Sequence, residues 1–407
     1  MTTIAESYEL PCGVRLNNRL AKAAMTERMA NPFQEPTELH TRLYKKWSET
    51  GAGLLITGNV LVDRDHLESA GNVCFDEKSD LNKLRSWASS LADSNSQLWV
   101  QLSHAGRQTN RFTNRNPLAP SAVQLHKMGL FGKPKAMTQT HIFEVIEKFR
   151  VAARITKDVG FSGLQIHAAH GYLLSQFLSP ATNKRYDKWG GNLENRSRLL
   201  REILREVRKE VGSNFPISVK LNSADFQRGG FEEADSLEVV KMLEAEGVDL
   251  LEISGGTYEK VAFFIQDDSI RESTKQREAY FLEFAKRIRE ISKIPIMVTG
   301  GFRTSSFCNE ALTNGDIDIV GMGRPFLTDV EKITSLLKGE ELQLNSQKIR
   351  SVVSSINDSA EGGFYARQVL QLAKQGKVKK SMNPLACAMF LIYYEFTKGL
   401  KRKAPKA

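Results

Sequence analysis

The sequence predicts an α/β fold: a (β/α)8 barrel with an N-terminal hairpin and a C-terminal helical extension. Three observations support this. Short apolar runs alternate with amphipathic helical patterns along most of the chain. The apolar runs are continuous, as strands buried on both faces of a parallel sheet must be. Each run gives way to glycine or a polar residue, the pattern expected where a barrel gathers its active site at the carboxyl ends of its strands.

Residues 8–20 (YELPCGVRLNNRL) read as a hairpin with Gly13 and Asn17-Asn18 as turn signals. Strands are predicted at 20–25, 53–58, 97–102, 163–167, 216–221, 248–253, 295–299 and 317–321. Helices are predicted near 38–50, 80–95, 141–159, 192–211, 233–246, 278–292, 304–314 and 325–338, several closed by a glycine such as Gly160, Gly212, Gly247 or Gly315. Just past the strands stand Thr26, Gly58, Gln101, His167, Lys220, Gly255-Gly256, Gly300-Gly301 and Gly323-Arg324. The long connections 103–140 and 255–277 have the length of lids or substrate walls. Phe226, Phe231, Tyr258, Phe263 and Phe264 lie past strands five and six, where they either line an apolar pocket or pack the loops down. The barrel is expected over 1–340 and a basic helical extension over 341–407.

With 407 residues, 41% hydrophobic and 26% charged, the chain has an ordinary globular composition. Its formal charge of +10 is unevenly spread. Residues 341–407 hold twelve Lys and Arg against four Asp and Glu, which leaves the barrel region near neutral. Without interleaved aromatic platforms, that tail does not read as a nucleic-acid binder. Cys12, Cys74, Cys308 and Cys387 are far apart, which suggests free thiols in a reducing cytoplasmic setting and excludes a compact iron–sulfur or zinc cluster. The N-terminus has neither the basic start nor the apolar stretch of a leader, and no run is long enough to span a membrane. The run MFLIYYEF (389–396) before KGLKRKAPKA reads first as a helix packed on the barrel with a solvated end. The alternative is contact with a membrane surface or a partner, because the run is amphipathic and basic-flanked. A monomer or homodimer acting on a small molecule is expected.

The densest chemistry lies in residues 163–198, GLQIHAAHGYLLSQFLSPATNKRYDKWGGNLENRSR. A short strand delivers His167, His170 and Tyr172 to a turn marked by Gly171. The histidines could ligate a metal, although no carboxylate or thiolate partner stands nearby in sequence. They could be structural, satisfied by backbone. Or two imidazole N–H groups could converge on a carbonyl oxygen with the Tyr172 hydroxyl beside them as an acid. TGGFRT (299–304) and GMGRPF (321–326) place glycine, then arginine, between a strand and a helix start. Exposed backbone N–H groups and a guanidinium suit a phosphate dianion, and barrels often keep a phosphate site in these two loops.

The run HAAHGYLLSQFLSPATNKRYDKWGGNLENRSR resembles the signature of the old yellow enzyme family, the FMN-dependent NAD(P)H:flavin oxidoreductases or ene-reductases. KAAMTERMA, QLSHAGRQT, VTGGFRT and VGMGRPF resemble its other marked segments in the expected order, so the likeness covers roughly residues 8–335. The resemblance implies that Ala23, Ala24, Met25 and Thr26 lie against an FMN ring, with Thr26 near its O4 and N5 edge. Gly58 would leave room beside the ring, and Gln101 would bond its pyrimidine edge. His167, counted among the cofactor contacts too, would hold the substrate carbonyl with His170, and Tyr172 would donate the proton. Gly300, Gly301, Gly323 and Arg324 would hold the FMN phosphate. Where the family usually has arginine, this chain has Lys220; it keeps the charge without the bidentate fork. No metal is expected. Asn192 reads as an N-cap and Glu194 as a first-turn acid; the charged residues around them would brace the loop.

The implied reaction passes hydride from NAD(P)H through the flavin to the activated C=C bond of an α,β-unsaturated carbonyl or nitro compound. A phosphate-binding lyase or aldolase using Lys220 as a Schiff-base nucleophile is the alternative.

Overall fold

The computed structural model describes residues 2–126, 129–255, 270–345, 349, 357–379 and 381–403, with side chains omitted over 270–279. Eight parallel strands close into a barrel: β3 (Leu20–Lys22), β4 (Leu54–Leu61), β5 (Gln97–Ser103), β8 (Gly163–Ala168), β9 (Ile217–Asn222), β10 (Leu250–Ser254), β11 (Ile296–Thr299) and β12 (Ile319–Met322). Each predicted strand is present, with ends displaced by a few residues. The strands are ringed by α1 (Glu38–Ser48), α2 (Leu81–Ala88), α3 (Gln139–Asp158), α5 (Leu193–Val211), α6 (Glu233–Ala245), α7 (Ile270–Arg289) and α8 (Ser305–Thr313); a short α4 (Leu173–Leu178) follows β8.

The predicted helix 325–338 is broken. It forms one turn, α9 (Pro325–Thr328), a 3-10 turn (Val330–Lys332), then α10 (Ile333–Leu337). Asp329 interrupts it: its carboxylate caps Asn345, accepting from the backbone N–H (3.1 Å) and the Nδ2 (2.8 Å). Asp329 itself leaves helical geometry there, at φ −137° and ψ 31°.

The hairpin pairs β1 (Tyr8–Glu9) with β2 (Arg15–Leu16), and Gly13 turns it at a φ of 84°. Asn18 is not part of that turn. Its side chain donates to Gly51 O (2.7 Å) and accepts from Gly53 N (2.8 Å), tying the start of β3 to the start of β4. Leu10 and Leu16 pack against Leu54, Trp99, Leu250 and Met297, so the hairpin plugs the amino end of the barrel. Burial of each leucine is worth about 1.5–3 kcal/mol.

Residues two apart on a strand share a face, and the interior therefore rises in layers. Trp99 of β5 lies in the apolar floor; a Cβ on Gly163 would come within 2.5 Å of its indole, so only glycine fits that floor. Two residues higher, Gln101, Gln165 and Ser218 stand in register across β5, β8 and β9. One layer further, His167, Lys220 and Glu252 align across β8, β9 and β10.

The 103–140 connection contains a 3-10 turn (Gly106–Gln108) and a two-stranded ribbon, β6 (Leu118–Ala119) with β7 (Lys135–Ala136). Two helices follow the barrel, α11 (Asn357–Gln375) and α12 (Pro384–Lys401); they pack on each other, and α11 lies against α1.

Candidate active site

At the end of β8 the chain turns through His170 (φ 60°) and Gly171 (φ 76°), two successive left-handed residues. For a histidine this conformation costs about 1–2 kcal/mol. Two contacts hold it: His170 N donates to Asn222 Oδ1 (3.2 Å), and Gln108 Nε2 donates to His170 O (2.7 Å). The turn brings His167, His170 and Tyr172 together. The His167 ring lies 5.1 Å from that of His170 and 4.9 Å from that of Tyr172, edge to face in both cases.

His167 Nδ1 accepts the Ala169 N–H (3.2 Å), so its own proton sits on Nε2, which has no protein partner among the described residues. His170 Nε2 lies 2.6 Å from Ser254 Oγ at the end of β10. Burial pushes the pKa of His170 down to about 3, assisted by the Lys220 ammonium. Burial, then His170 and Lys220, hold His167 well below the ordinary imidazole range. Both rings are therefore neutral donors at physiological pH.

The loop beyond is braced as the sequence implied. Asn192 caps α5 by accepting from Asn195 N, with Glu194 in the first turn. Asn183 Nδ2 donates to Phe177 O and Trp189 O (both 2.8 Å). Arg185 donates to Met137 O (2.6 Å), and Arg196 to Gly191 O (3.1 Å) and Leu178 O.

Beneath the histidines a hydrogen-bonded belt crosses the barrel. Gln101 Nε2 donates to Gln165 Oε1 (2.8 Å), and Gln165 Nε2 to Glu252 Oε2 (2.9 Å). Glu252 Oε1 accepts from Lys220 Nζ (2.8 Å) and Thr299 Oγ1 (2.7 Å). Gln165 and Glu252 were not singled out in the sequence. Their signal was alternation: QLWVQL, GLQIH, ISVKLN and LLEIS each put a polar residue at an inward-facing position. Ser254 and Asn222 were missed although they stand at strand ends, where the same rule places site residues.

On the opposite wall, Ala23 N donates to Met322 O (2.8 Å) and Thr26 Oγ1 to Asn59 Oδ1 (2.9 Å). Asn59 Nδ2 is a buried donor with no partner among the described residues. A Cβ on Gly58 would lie 2.4 Å from Met25 O and 2.2 Å from the Glu27 carboxylate. Gly58 thus lets the loop of Met25 to Glu27 approach, and its N–H donates to Glu27 Oε1 (2.8 Å).

Gly300 (φ 110°) and Gly301 (φ 93°) require glycine's freedom, and a side chain on Gly300 would meet open space. Gly323 has only the Met25 side chain within 4 Å of its missing Cβ. Arg324 Nη1 lies 3.5 Å from Glu361 Oε1 of α11, so the extension reaches this loop. Of the five loop aromatics, Phe231 is buried, Phe226 stacks edge to face on Tyr280 (5.5 Å), and Tyr258, Phe263 and Phe264 lie outside the described residues.

A second histidine pair escaped the sequence reading. His66 and His104 stack at 4.4 Å around Asp63, with His66 Nδ1 at 3.1 Å and His104 Nε2 at 3.7 Å from its Oδ2. The trio has the spacing of a metal site. Its protons argue otherwise. His66 Nε2 accepts from Leu118 N (2.9 Å) and His104 Nδ1 from Gly106 N (3.1 Å), so the nitrogens facing Asp63 are the protonated ones. Lys148 Nζ, 2.5 Å from the same Oδ2, takes the remaining place.

Residues 12–343 match the model of the NADH:flavin oxidoreductase / NADH oxidase family. The chain belongs to that family. An NADH-dependent flavin oxidoreductase (iccE) of Talaromyces variabilis is 32% identical over 410 residues, covering 92% of this chain and 99% of the relative. Another (iliE) of a Neonectria species is 37% identical over 342 residues, covering 78% of this chain; the chain spans 44% of that relative's length. An old yellow enzyme homologue from Zymomonas mobilis superposes with a TM-score of 0.71 at 22% identity, over 88% of this chain and 99% of that one, and shares the fold. This member of the family is thus an oxidoreductase on an old yellow enzyme barrel, with FMN and NAD(P)H as its cofactors. Among the described residues no helix is long and apolar enough to cross a membrane.

Proposed function

We propose that this flavin oxidoreductase reduces the activated C=C bond of α,β-unsaturated carbonyl or nitro compounds in the cytoplasm. The observation that supports it most is the His167 Nε2–H: its position is set by the Ala169 N–H, it has no protein acceptor among the described residues, and it stands beside His170 and Tyr172. Neutral imidazoles that donate without carrying charge suit an oxygen whose negative charge grows during reaction.

The residues present fit FMN. Gln101 and Lys220 offer a carboxamide and a cation below the mouth, Thr26 in the loop after β3 and Asn59 on β4 add a hydroxyl and a carboxamide, and Gly300, Gly301, Gly323 and Arg324 offer a glycine-lined anion site. When bound, FMN supplies the hydride transfer from NAD(P)H to the alkene's β-carbon. His167 and His170 orient the substrate oxygen and stabilise enolate character. Ser254, donating to His170 Nε2, would leave the Nδ1–H free to point at that oxygen. Tyr172 delivers a proton to the α-carbon. Glu252 fixes the Lys220 ammonium, and that pairing is a poor setting for an amine that must lose its proton to form a Schiff base.

Tyr172→Phe tests the reading. Reduction of an enone should slow by about 10²–10⁴, while reduction of the flavin by NADPH or NADH keeps its rate. Equal loss in both half-reactions would remove Tyr172 from the proton-donor role.

A further inference from the structure

We infer that α12, with the loop of Phe112 beside it, is a docking surface for an anionic lipid membrane. The helix is attached to the barrel by one side. Glu395, half-buried, accepts from Arg28 Nε (2.9 Å) and Ser69 Oγ (2.6 Å). Tyr394 Oη donates to Arg28 O (2.7 Å), and Lys398 Nζ to Ala30 O (2.5 Å). Beyond the helix, Arg402 Nη2 donates to Arg64 O (2.6 Å). These contacts fall on the loops after β3 (Arg28, Ala30) and β4 (Arg64, Ser69), at the carboxyl end of the barrel strands, so the helix lies on the rim of the mouth.

The other side of the helix is apolar and bare. Leu385, Met389, Ile392, Tyr393, Phe396 and Leu400 are 46–71% exposed. At 3.6 residues per turn they fall within an arc of about 100°. They make up six of the eleven large apolar side chains exposed among the described residues, so the apolar surface is concentrated here. Phe112, also exposed, meets Phe396 edge to face at 6.1 Å and widens the stripe.

Charge decides what covers it. Residues 376–407 contain one acid, Glu395, which is turned inward, and residues 110–137 contain none. Exposed Lys377 and Lys379 precede the helix, Lys401 and Lys403 close it, and Arg111 and Arg115 flank Phe112. None of the six has an ion-pair partner among the described residues. Asp65, the acid at the edge, is already paired with Arg402 (3.2 Å). A second copy of this chain would bring cations onto cations. An anionic bilayer takes the stripe into its acyl boundary and the cations at its headgroups. This inference does not depend on which alkene the site reduces.

The experiment is vesicle co-sedimentation of the full-length holoenzyme, with neutral phosphatidylcholine or with phosphatidylcholine containing phosphatidylserine. Binding to the serine-containing vesicles is expected at low salt, falling as ionic strength rises. Lys401→Gln with Lys403→Gln should weaken partitioning about fivefold per cation removed. Ile392→Ser with Phe396→Ser should abolish it while flavin content and NADPH oxidation in solution stay unchanged, which shows that the variant has folded. Equal binding to neutral vesicles, or none to either, would overturn the proposal. So would a dimer in sedimentation velocity that the serine variant converts to monomer, since the stripe would then belong to a second copy.

Discussion

His66 and His104 stack around Asp63, while His167 and His170 meet edge to face with no carboxylate between them. Both pairs stand near the carboxyl end of the same barrel, and burial keeps His104, like the second pair, neutral. The difference is in what their N–H groups face. In the first pair the protonated nitrogens face Asp63, His66 Nδ1 at 3.1 Å and His104 Nε2 at 3.7 Å, and against the cost of burial the two neighbouring rings hold its carboxyl far below the usual range. In the second, the His167 Nε2–H has no protein acceptor among the described residues. Function follows from the donor left over after the backbone has fixed the tautomer, and residue type alone does not reveal it.

The largest effect should come from the open pair. In the holoenzyme, replacing His167 and His170 with alanine should weaken binding of a phenolic carbonyl mimic and slow enone reduction by at least about 10²–10³. Unfolding free energy should move by no more than about 1 kcal/mol. The closed pair should do the reverse. Asp63→Ala strands two buried N–H donors and the Lys148 ammonium, so urea unfolding should show a loss of about 2–4 kcal/mol. Phenol affinity of the folded fraction should stay within a few-fold of the starting protein.

That inversion was hidden from the sequence for a physical reason. His167, His170 and Tyr172 lie within six residues of each other, so their convergence is local. Asp63, His66 and His104 meet only because β4 and β5 are neighbours in the barrel. The strands themselves were legible, since apolar continuity and glycine punctuation are local signals. Glu252 was not: a single acid in LLEIS reads as a blemish in an apolar run until β9 places Lys220 beside it. The break at Asp329 was hidden in the same way, because its partner, Asn345, lies sixteen residues on.

A smaller effect concerns pH, where His104 and His170 should behave alike. His40 and His170 titrate near 3 and His104 near 4 in the folded chain, all through burial. Unfolded histidine takes up its proton near 6.5. Between those values the unfolded chain binds more protons, so stability falls as pH drops below about 6.5, by up to about 1.4 kcal/mol per pH unit for each histidine. Above pH 7 these groups contribute no slope. Urea midpoints at pH 7.5, 6 and 5 measure this, and His104→Gln or His170→Gln should each reduce the slope by one proton.

The most direct measurement is the protonation of His167 itself. In uniformly 15N-labelled holoenzyme, long-range proton–nitrogen correlation should show His167 as the neutral Nε2–H form, unchanged from pH 7.5 to pH 5, with Nε2 shifting when a phenolic ligand is added. An imidazolium or an Nδ1–H form at neutral pH, or an Nε2 indifferent to the ligand, would contradict the account.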